Sequence, residues 1–561
     1  MLLHKLRFTQ LIKYSAATLC SLALVAPLAQ AKTIQYTNAN GYTLNAKGEL
    51  TRFTHFVVQD DLIQSVDADV SSSIETVNLE GQTVLPGLID AHGHILGLGS
   101  NLLEVDLRGS TSEKEAANRV ITYIAQAASS EEESDWIIGR GWNQVLWPSK
   151  EFPSKETLDA LIKDRPIYLS RVDGHAAWLN SKALALAGID RNTISPAGGE
   201  IVKDANGEPT GVLIDNAELL LQDVLPKPSK KQFKRALEAA QAHLLSLGIT
   251  SAHDAGISKQ VRDFYIQEAE SNALKFRIYA MLAATDPQLL SMLKSGHYLD
   301  DDALLSIRSV KVYGDGALGS RGAALLKPYS DDPSNSGLLV TSPETLPMLF
   351  NNIIGANFQL NIHAIGDRAN RLALQQFAKT FAIFPENSER HRVEHAQVIA
   401  VEDIPLFKEY GVIPSMQPTH ATSDMNMAED RLGKARLKGA YAWQTFLQQG
   451  SRIAFGSDFP VELANAFHGL HAAVTRQNAF EEPAQGWIKS ESVSRIQALK
   501  GFTIDAAYSA FQEDLLGSIE AGKKADFIVV DKDYFEVDNA EIRNIKVLQT
   551  FVNGEQVYQQ P

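Results

Sequence analysis

The chain has 561 residues, 44% of them hydrophobic, and a formal net charge of −15 at pH 7. A chain of this length can bury a large core and is expected to form two or more lobes. The negative charge argues against nucleic acid or an anionic membrane surface as a partner. A small-molecule substrate is the expected partner, and a homodimer stays open.

The first 31 residues have the pattern of a cleaved signal peptide. Lys and Arg residues precede an apolar run over 16–28, and Ala29-Gln30-Ala31 fits a cleavage site before Lys32. An uncleaved membrane anchor is the less favoured alternative, because the apolar run is short for a membrane span. We therefore predict a periplasmic or secreted protein that has no stable membrane association after cleavage. The only cysteine, Cys20, lies in this segment, so the mature chain would have no disulfide.

Both ends of the mature chain are rich in short strand-like runs that are separated by turn residues. Near the carboxyl end, Asn553-Gly554 stands between two such runs and is a strong signal for a β-hairpin. Because the two ends resemble each other in this way, we predict that 32–83 and 505–561 form one small composite β-sandwich.

Between the two ends, strand-like runs alternate with helical stretches, which is typical of an α/β fold. Eight such runs predict a (β/α)8 TIM-type barrel over 84–504. Roughly 150 residues separate the first two runs, too many for one connection. We therefore predict an inserted lobe over the barrel mouth at about 108–240. The eight runs are 84–91, 249–253, 276–281, 306–313, 358–363, 392–395, 412–416 and 452–455.

Residue types that bind metals stand at the ends of several runs. His92 and His94 end the first run one residue apart, and strand alternation points both imidazoles to the same face. His363, His395 and Asp458 end three later runs. Each histidine alone could be an ordinary core or surface residue, and the aspartate could be a helix N-cap. Their joint position at the carboxyl ends of barrel strands predicts a divalent-metal site and a metal-dependent enzyme.

Lys311 lies on the axial face of its predicted strand. An ammonium group beside divalent cations is unfavourable, and burial lowers the pKa of a lysine, so the free amine becomes accessible. A free amine can take up carbon dioxide and become an anionic carbamate that bridges two metals. The alternatives are a lysine that binds a phosphate or carboxylate of the substrate, and one that reaches solvent.

Six motifs resemble, in sequence and in order, those of the amidohydrolase superfamily, and specifically its amidohydrolase family 3 branch with N-substituted formamide deformylase-like proteins. The motifs cover 85–94, 310–323, 362–368, 393–396, 455–458 and 517–526. The resemblance implies a site with one or two Zn²⁺, another divalent metal being the alternative. By motif position, the first metal would have His92, His94 and Asp458 as ligands. The second would have His363 and His395, and carbamylated Lys311 would bridge the two metals.

These features predict a zinc-dependent hydrolase that uses metal-activated water on a non-peptide C–N bond of a small N-acyl or N-formyl compound. Asp458 would take the proton of the water and return it to the leaving nitrogen. A deaminase or cyclic-amide hydrolase on the same scaffold is the first alternative. An exported binding protein without turnover is the second, and Asp458 argues against it because binding alone needs no proton shuttle.

Candidate substrate contacts lie in the lobe and in the loop after the fourth run. The two tryptophans could equally be core residues, and the arginine could simply pair with a carboxylate such as Asp315. The candidates are Trp142, His175, Trp178, Asp315 and Arg321.

Overall fold

The structure is a computed structural model that describes residues 32–45, 47–69, 73–127, 136–171, 174, 176–196 and 199–561. The predicted signal peptide and His175 lie outside these residues. Within the described residues, no helix is long and apolar enough to span a bilayer.

The centre of the molecule is a barrel of eight parallel strands, as the sequence predicts. A bridge between Gly93 and Phe459 joins the first strand to the segment after the last. The amide of Asp458 donates to the carbonyl of His92 over 2.7 Å, which closes the barrel beside the predicted ligands. In order around the barrel, the strands are Leu88–Gly93, Ile249–Ile257, Arg277–Ala283, Leu305–Tyr313, Gln359–Ala364, Arg392–His395, Ile413–Met416 and Ala454–Phe455.

The first predicted run, 84–91, is divided between two sheets. Thr83–Pro86 pairs with Phe527–Val530 in the composite sandwich, and Leu88–Gly93 starts the barrel. Gly87 stands between them, where a Cβ atom would lie 2.3 Å from the Thr250 hydroxyl. The prediction of one continuous strand is wrong because the chain changes sheets at this glycine.

Side-chain alternation in the barrel strands separates the apolar core from the axis. Val310 and Val312 belong to the large apolar cluster between strands and helices. Lys311 is buried and in register with Asn361 of the next strand. The polar residues therefore face the barrel axis, where their strands end at a common mouth.

Both chain ends contribute to the composite sandwich, as predicted. In the hairpin at the carboxyl end, Asn553 and Gly554 have φ of 52° and 72°, the left-handed geometry that a tight hairpin turn requires. One sheet contains, in order, Leu62–Val66, Phe56–Gln59, Thr33–Thr37 and Glu75–Asn78. The other contains Glu555–Gln559, Val547–Val552, Phe527–Val530, Thr83–Pro86, Asn40–Leu44 and Leu50–Phe53.

The inserted lobe has its own sheet and its own apolar core. Its strands extend from Val105 to Asp215, whereas the helix Lys230–Ser246 packs on Ile95–Leu103 and contributes to the barrel core. In order, the lobe strands are Gly199–Lys203, Pro209–Asp215, Ala176–Leu179, Ile167–Arg171, Ile137–Trp142 and Val105–Asp106.

The helices lie in the lobe and around the barrel. Those of the lobe are Glu113–Ala127, Lys155–Asp159 and Ser181–Leu186. Those outside the lobe are Ile95–Leu103, Lys230–Ser246, Lys259–Glu270, Leu289–Ser295, Leu346–Gly355, Asp367–Phe381, Ile404–Tyr410, Pro418–Asp424, Ala428–Leu432, Trp443–Gln448, Ala466–Thr475, Arg495–Gly501 and Ile504–Ser509.

Candidate metal centre

A cavity of about 330 Å³ opens at the carboxyl ends of the barrel strands. The structure brings to it every residue that the sequence predicts as a metal ligand. Each side chain comes from a strand or from the segment that follows it, so distant parts of the chain meet at one mouth. These residues are His92, His94, Lys311, His363, His395 and Asp458.

The innermost group has the spacing of a metal site. One potential ligand atom from each of His92, His395 and Asp458 lies within 4.8 Å of the other two, and all three residues are buried. Lys311 Nζ is 3.0 Å from His92 Nε2, and the His363 and His395 ring centroids are 4.5 Å apart. His94 Nε2 is 3.2 Å from Asp458 Oδ1 at the open side, where the His94 side chain is partly exposed.

Left-handed backbone conformations help to place two of these residues. His395 has a φ of 73° and Asp458 a φ of 60°, values that residues other than glycine seldom adopt. Strand alternation alone would put His395 on the opposite face from its neighbour Glu394, yet both contact the axial cluster. This departure from strand geometry is local strain, of the kind that collects at functional sites.

Partners at the Nδ1 atoms of His92 and His395 fix the orientation of these imidazoles. Glu394 Oε2 is 2.5 Å from His92 Nδ1, and Gln417 Oε1 is 2.9 Å from His395 Nδ1. If each Nδ1 carries the proton for these contacts, each Nε2 atom keeps its lone pair for the cavity side. Such carboxylate and amide partners are typical of histidines that bind metals.

Charged neighbours keep both buried carboxylates ionised. Burial alone would raise the pKa of Glu394, but Arg392, whose Nε lies 2.7 Å from Oε1, and His92 together hold that pKa well below its ordinary value. Burial opposes ionisation of Asp458 in the same way, but His94, whose Nε2 lies 3.2 Å from Oδ1, and the other nearby imidazoles hold its pKa well below the usual range. The site therefore contains anionic oxygen atoms at neutral pH.

Burial shifts two bases of the site, His92 and Lys311, toward their neutral forms. Burial, followed by the charge of Lys311, lowers the pKa of His92 to about 4, and burial lowers the pKa of Lys311 to about 8. Neutral imidazoles can donate electron pairs to a metal. At neutral pH, Lys311 has a larger free-amine fraction than an exposed lysine.

Two further imidazole nitrogens at the cavity are buried without a hydrogen bond to any described residue. They are Nε2 of His363 and Nε2 of His420, with the nearest carboxylate oxygens at 3.4 Å and 3.6 Å. Leaving buried polar atoms unpaired costs free energy unless a ligand completes them. A set of imidazole nitrogen and carboxylate oxygen donors with such unfilled positions fits a zinc-like divalent cation.

The predicted substrate contacts in the lobe are elsewhere. Trp142 and Trp178 are fully buried, and their indole N–H groups donate to the carbonyls of Leu169 and Ser154. Their large apolar rings fill the lobe, so as placed they are core residues and not substrate contacts. His175 lies outside the described residues.

Asp315 and Arg321 also have structural partners. Asp315 accepts hydrogen bonds from the amides of Ala324, Ile365 and Gly366, and its Oδ1 is the oxygen 3.4 Å from His363 Nε2. It therefore holds the His363 strand end in place instead of contacting substrate. Arg321 pairs with Asp331 over 2.9 Å, and not with Asp315 as the sequence suggested.

Sequence reasoning missed several residues of the site. Tyr313, Gln397 and Asp424 line the cavity, while Glu394 and Gln417 orient the histidines. Glu394 immediately precedes a predicted ligand, and Tyr313 shares the face of Lys311, so both had a local signal. His420 also lines the cavity, from the helix Pro418–Asp424 beyond the strand ends.

Comparison with known proteins agrees with this geometry. A model of the amidohydrolase family matches residues 75–558. The chain is 34% identical over 92% of its length to putative amidohydrolase YtcJ of Bacillus subtilis, covering 98% of that protein. It is 24% identical over 94% of its length to N-substituted formamide deformylase of Arthrobacter pascens, again covering 98% of the relative.

A solved structure gives the same picture. The crystal structure of an uncharacterized metal-dependent hydrolase from Pyrococcus furiosus superposes with a TM-score of 0.73 at 28% identity, over 90% of this chain and 100% of the other. The chain is therefore a metal-dependent hydrolase that belongs to the amidohydrolase superfamily, in its amidohydrolase family 3 branch.

Proposed function

We propose that the protein is an exported zinc-dependent hydrolase that cleaves a C–N bond other than a peptide bond in a small N-acyl or N-formyl compound. The observation that carries this proposal is the convergence of His92, His395 and Asp458, whose ligand atoms lie within 4.8 Å of one another in an open cavity. The similarity to an N-substituted formamide deformylase supports the choice of bond.

The residues that would hold the metal are those that converge at the cavity. His92, His94 and Asp458 would bind one ion, and His363 and His395 would bind a second, with Lys311 as a carbamate between them. A divalent cation bound there supplies Lewis-acid activation of water and of a substrate carbonyl. Because Lys311 is buried and has a lowered pKa, its free amine is accessible to carbon dioxide.

Asp458 is the proton carrier in this proposal. Its carboxylate is ionised and lies beside His94 and His420 at the mouth of the cavity. It would accept a proton from the attacking water and transfer it to the leaving nitrogen, so that one group acts first as base and then as acid.

Two further side chains are placed to hold the substrate. His420 Nε2 is buried at the cavity and forms no hydrogen bond with a described residue, so it can pair with the carbonyl oxygen of a bound amide. Burial raises the pKa of Tyr313, so its hydroxyl stays protonated and can act as a donor.

The test combines metal analysis with a hydrolysis screen of the purified protein. We expect stoichiometric zinc, turnover of N-formyl amines or N-acyl amino acids, and loss of turnover after chelation that returns when zinc is added. Unimpaired hydrolysis by metal-free protein would overturn the proposal. Ammonia release without a carboxylic acid product would instead assign the site to a deaminase.

Export has a separate test. Amino-terminal sequencing of the protein recovered from the periplasm or the medium is expected to start at Lys32. Recovery of the intact chain in the cytoplasm would contradict export without affecting the metal chemistry.

A further inference from the structure

A second cavity of about 330 Å³ lies directly beside the metal cavity. The helices Pro418–Asp424 and Ala466–Thr475 form two of its sides, and the loop that carries Phe480 forms a third. Arg543 completes it from the short helical segment Asn539–Asn544 of the carboxyl-terminal region.

The two cavities share a wall. Ser423 and Glu462 line both of them, and the Ser423 hydroxyl donates to Glu462 Oε1 over 2.7 Å. Ser423 is exposed, so a flexible ligand can pass over this residue from one cavity to the other. A molecule whose scissile bond lies at the metal centre can therefore place its other end in the second cavity.

The second cavity contains polar atoms that have no partner among the described residues. His471 is only 2% exposed, and its Nε2 atom forms no hydrogen bond with any described residue. The Thr419 hydroxyl is buried in the same unpaired state. The metal mechanism uses neither group, and buried unpaired polar atoms point to a missing ligand.

The charged side chains that line the second cavity are Arg543 and Glu462. The Arg543 guanidinium donates to the carbonyl of Ala479, and no described carboxylate lies within ion-pair distance of it. Burial and the Arg543 charge lower the pKa of His468 and of His471 to about 4, so both rings are neutral at pH 7. Glu462 is the opposing carboxylate, and it is bonded to Ser423 at the shared wall.

The rim of the second cavity is apolar. Phe480 and Leu463 line it and are 81% and 58% exposed. An exposed aromatic ring next to a guanidinium that has no carboxylate partner among the described residues suits a ligand that has an apolar stem and an anionic end.

We infer that the second cavity binds the far end of an extended substrate, an apolar chain or ring that terminates in a carboxylate and pairs with Arg543. This inference rests on the proposed function, since it places the scissile C–N bond at the metal centre. The inference narrows the substrate class to N-acyl or N-formyl derivatives of amino acids in which an apolar chain or ring separates the amine from the carboxylate.

The test uses the zinc-loaded full chain and three matched probes: N-hexylformamide, its carboxylate-terminated analogue and its ammonium-terminated analogue. We expect kcat/KM to be about tenfold higher for the carboxylate than for the neutral probe, as one charge-assisted hydrogen bond allows. Arg543→Ala removes that advantage and Arg543→Lys restores part of it. Lys434→Ala, which removes an exposed charge elsewhere, preserves the advantage.

A second variant, Phe480→Ala, tests the apolar rim. Phe480→Ala is expected to lower kcat/KM for all three hexyl probes relative to N-methylformamide, because the short probe cannot reach the rim. Equal kcat/KM for the three hexyl probes in the unaltered protein would overturn the inference. So would a preference for the ammonium probe, which would assign the cavity to Glu462, or a carboxylate preference that survives in folded Arg543→Ala.

Failure of the proposed function is distinguishable from failure of this inference. If no formamide is hydrolysed, calorimetric titration of the carboxylate-terminated probe still measures binding. Binding that weakens about tenfold in Arg543→Ala supports the second cavity without turnover. Binding that is equal in both proteins overturns it.

Discussion

Two buried clusters of charged side chains differ in how their polar atoms are paired. Between the barrel and the composite sandwich, Arg277 binds Asp526 through two nitrogens at 2.6 Å and 2.8 Å, and its remaining hydrogen bonds go to two carbonyls and to Asn553. At the mouth of the barrel, His363 and His420 each have a buried nitrogen that no residue in the described part of the chain hydrogen-bonds. Both clusters are buried, so burial alone does not identify a functional site.

The two clusters differ in whether the protein's own residues pair all of their buried polar atoms. The interface between the domains is closed by its own residues, which is what a structural ion pair requires. At the cavity, the described residues leave some buried polar atoms without hydrogen bonds. The strained backbone at His395 and Asp458 helps to hold the side chains in this arrangement. Predictions that separate activity from stability at these two places test this contrast.

The largest effect is expected at Asp458. Asp458→Asn retains the shape of the side chain but cannot accept a proton, so kcat should fall by about 10³-fold. Steady-state hydrolysis, with zinc content and unfolding measured on the same sample, checks this. Turnover within tenfold of the unaltered protein at equal zinc content would remove Asp458 from the mechanism.

At the interface between the domains the effect should be on stability. Asp526→Asn leaves the Arg277 charge buried without its partner, so the free energy of unfolding should fall by about 3–5 kcal/mol. Turnover per folded molecule should stay the same. Glu208→Gln, which breaks the exposed pair with Arg191, should change stability by no more than about 0.5 kcal/mol. Equal effects of the two substitutions in urea unfolding would contradict the contrast.

Glu394 belongs both to a buried ion pair and to the candidate metal site, because it is paired with Arg392 and also orients His92. Glu394→Gln should lower zinc affinity by about 10–100-fold, the range for outer partners of a metal-binding histidine. Competition with a chelator measures this affinity. Glu402→Gln, at an exposed glutamate that pairs with Arg371, serves as the control and should leave affinity unchanged.

Much of the fold could be predicted from the sequence because it depends on local patterns. The eight barrel runs, the Asn553-Gly554 hairpin and the ligands at strand ends all follow from periodicity and turn chemistry. What the sequence could not show depends on distant contacts. Glu394 orients a histidine 302 positions away, and no local signal indicates which partner a buried glutamate will find.

The predicted substrate contacts also show that the sequence does not reveal distant contacts. Trp142 and Trp178 were candidates because large aromatic rings suit a substrate platform, yet the lobe buries both rings in its own core. Periodicity cannot distinguish an aromatic residue that fills a lobe from one that lines a cavity. Arg543 lies in a segment that the sequence assigns to the composite sandwich, so its position beside the catalytic mouth was not predictable.

The smallest effect concerns a histidine that is buried but fully bonded. His391 accepts from the Leu360 amide at Nδ1 over 2.9 Å, and its Nε2 lies 2.6 Å from the Asn387 carbonyl. Burial lowers the pKa of His391 to about 4, below the value of about 6.5 in an unfolded chain. Between these two values the unfolded chain binds more protons than the folded one. The contribution of His391 to stability is therefore complete above pH 6.5 and is lost as the pH falls toward 4.

His391→Gln should thus flatten the pH dependence of stability. Between pH 7 and pH 5.5, the unaltered protein should lose about 1 kcal/mol more of its unfolding free energy than the variant does. Urea unfolding at a series of pH values gives both curves. Because only the difference in slope is used, any constant loss from replacing the ring cancels. Parallel curves would mean that His391 opens to solvent or finds another partner when protonated. His391 would then not resemble the Arg277 cluster, in which the protein's own residues pair the buried polar atoms.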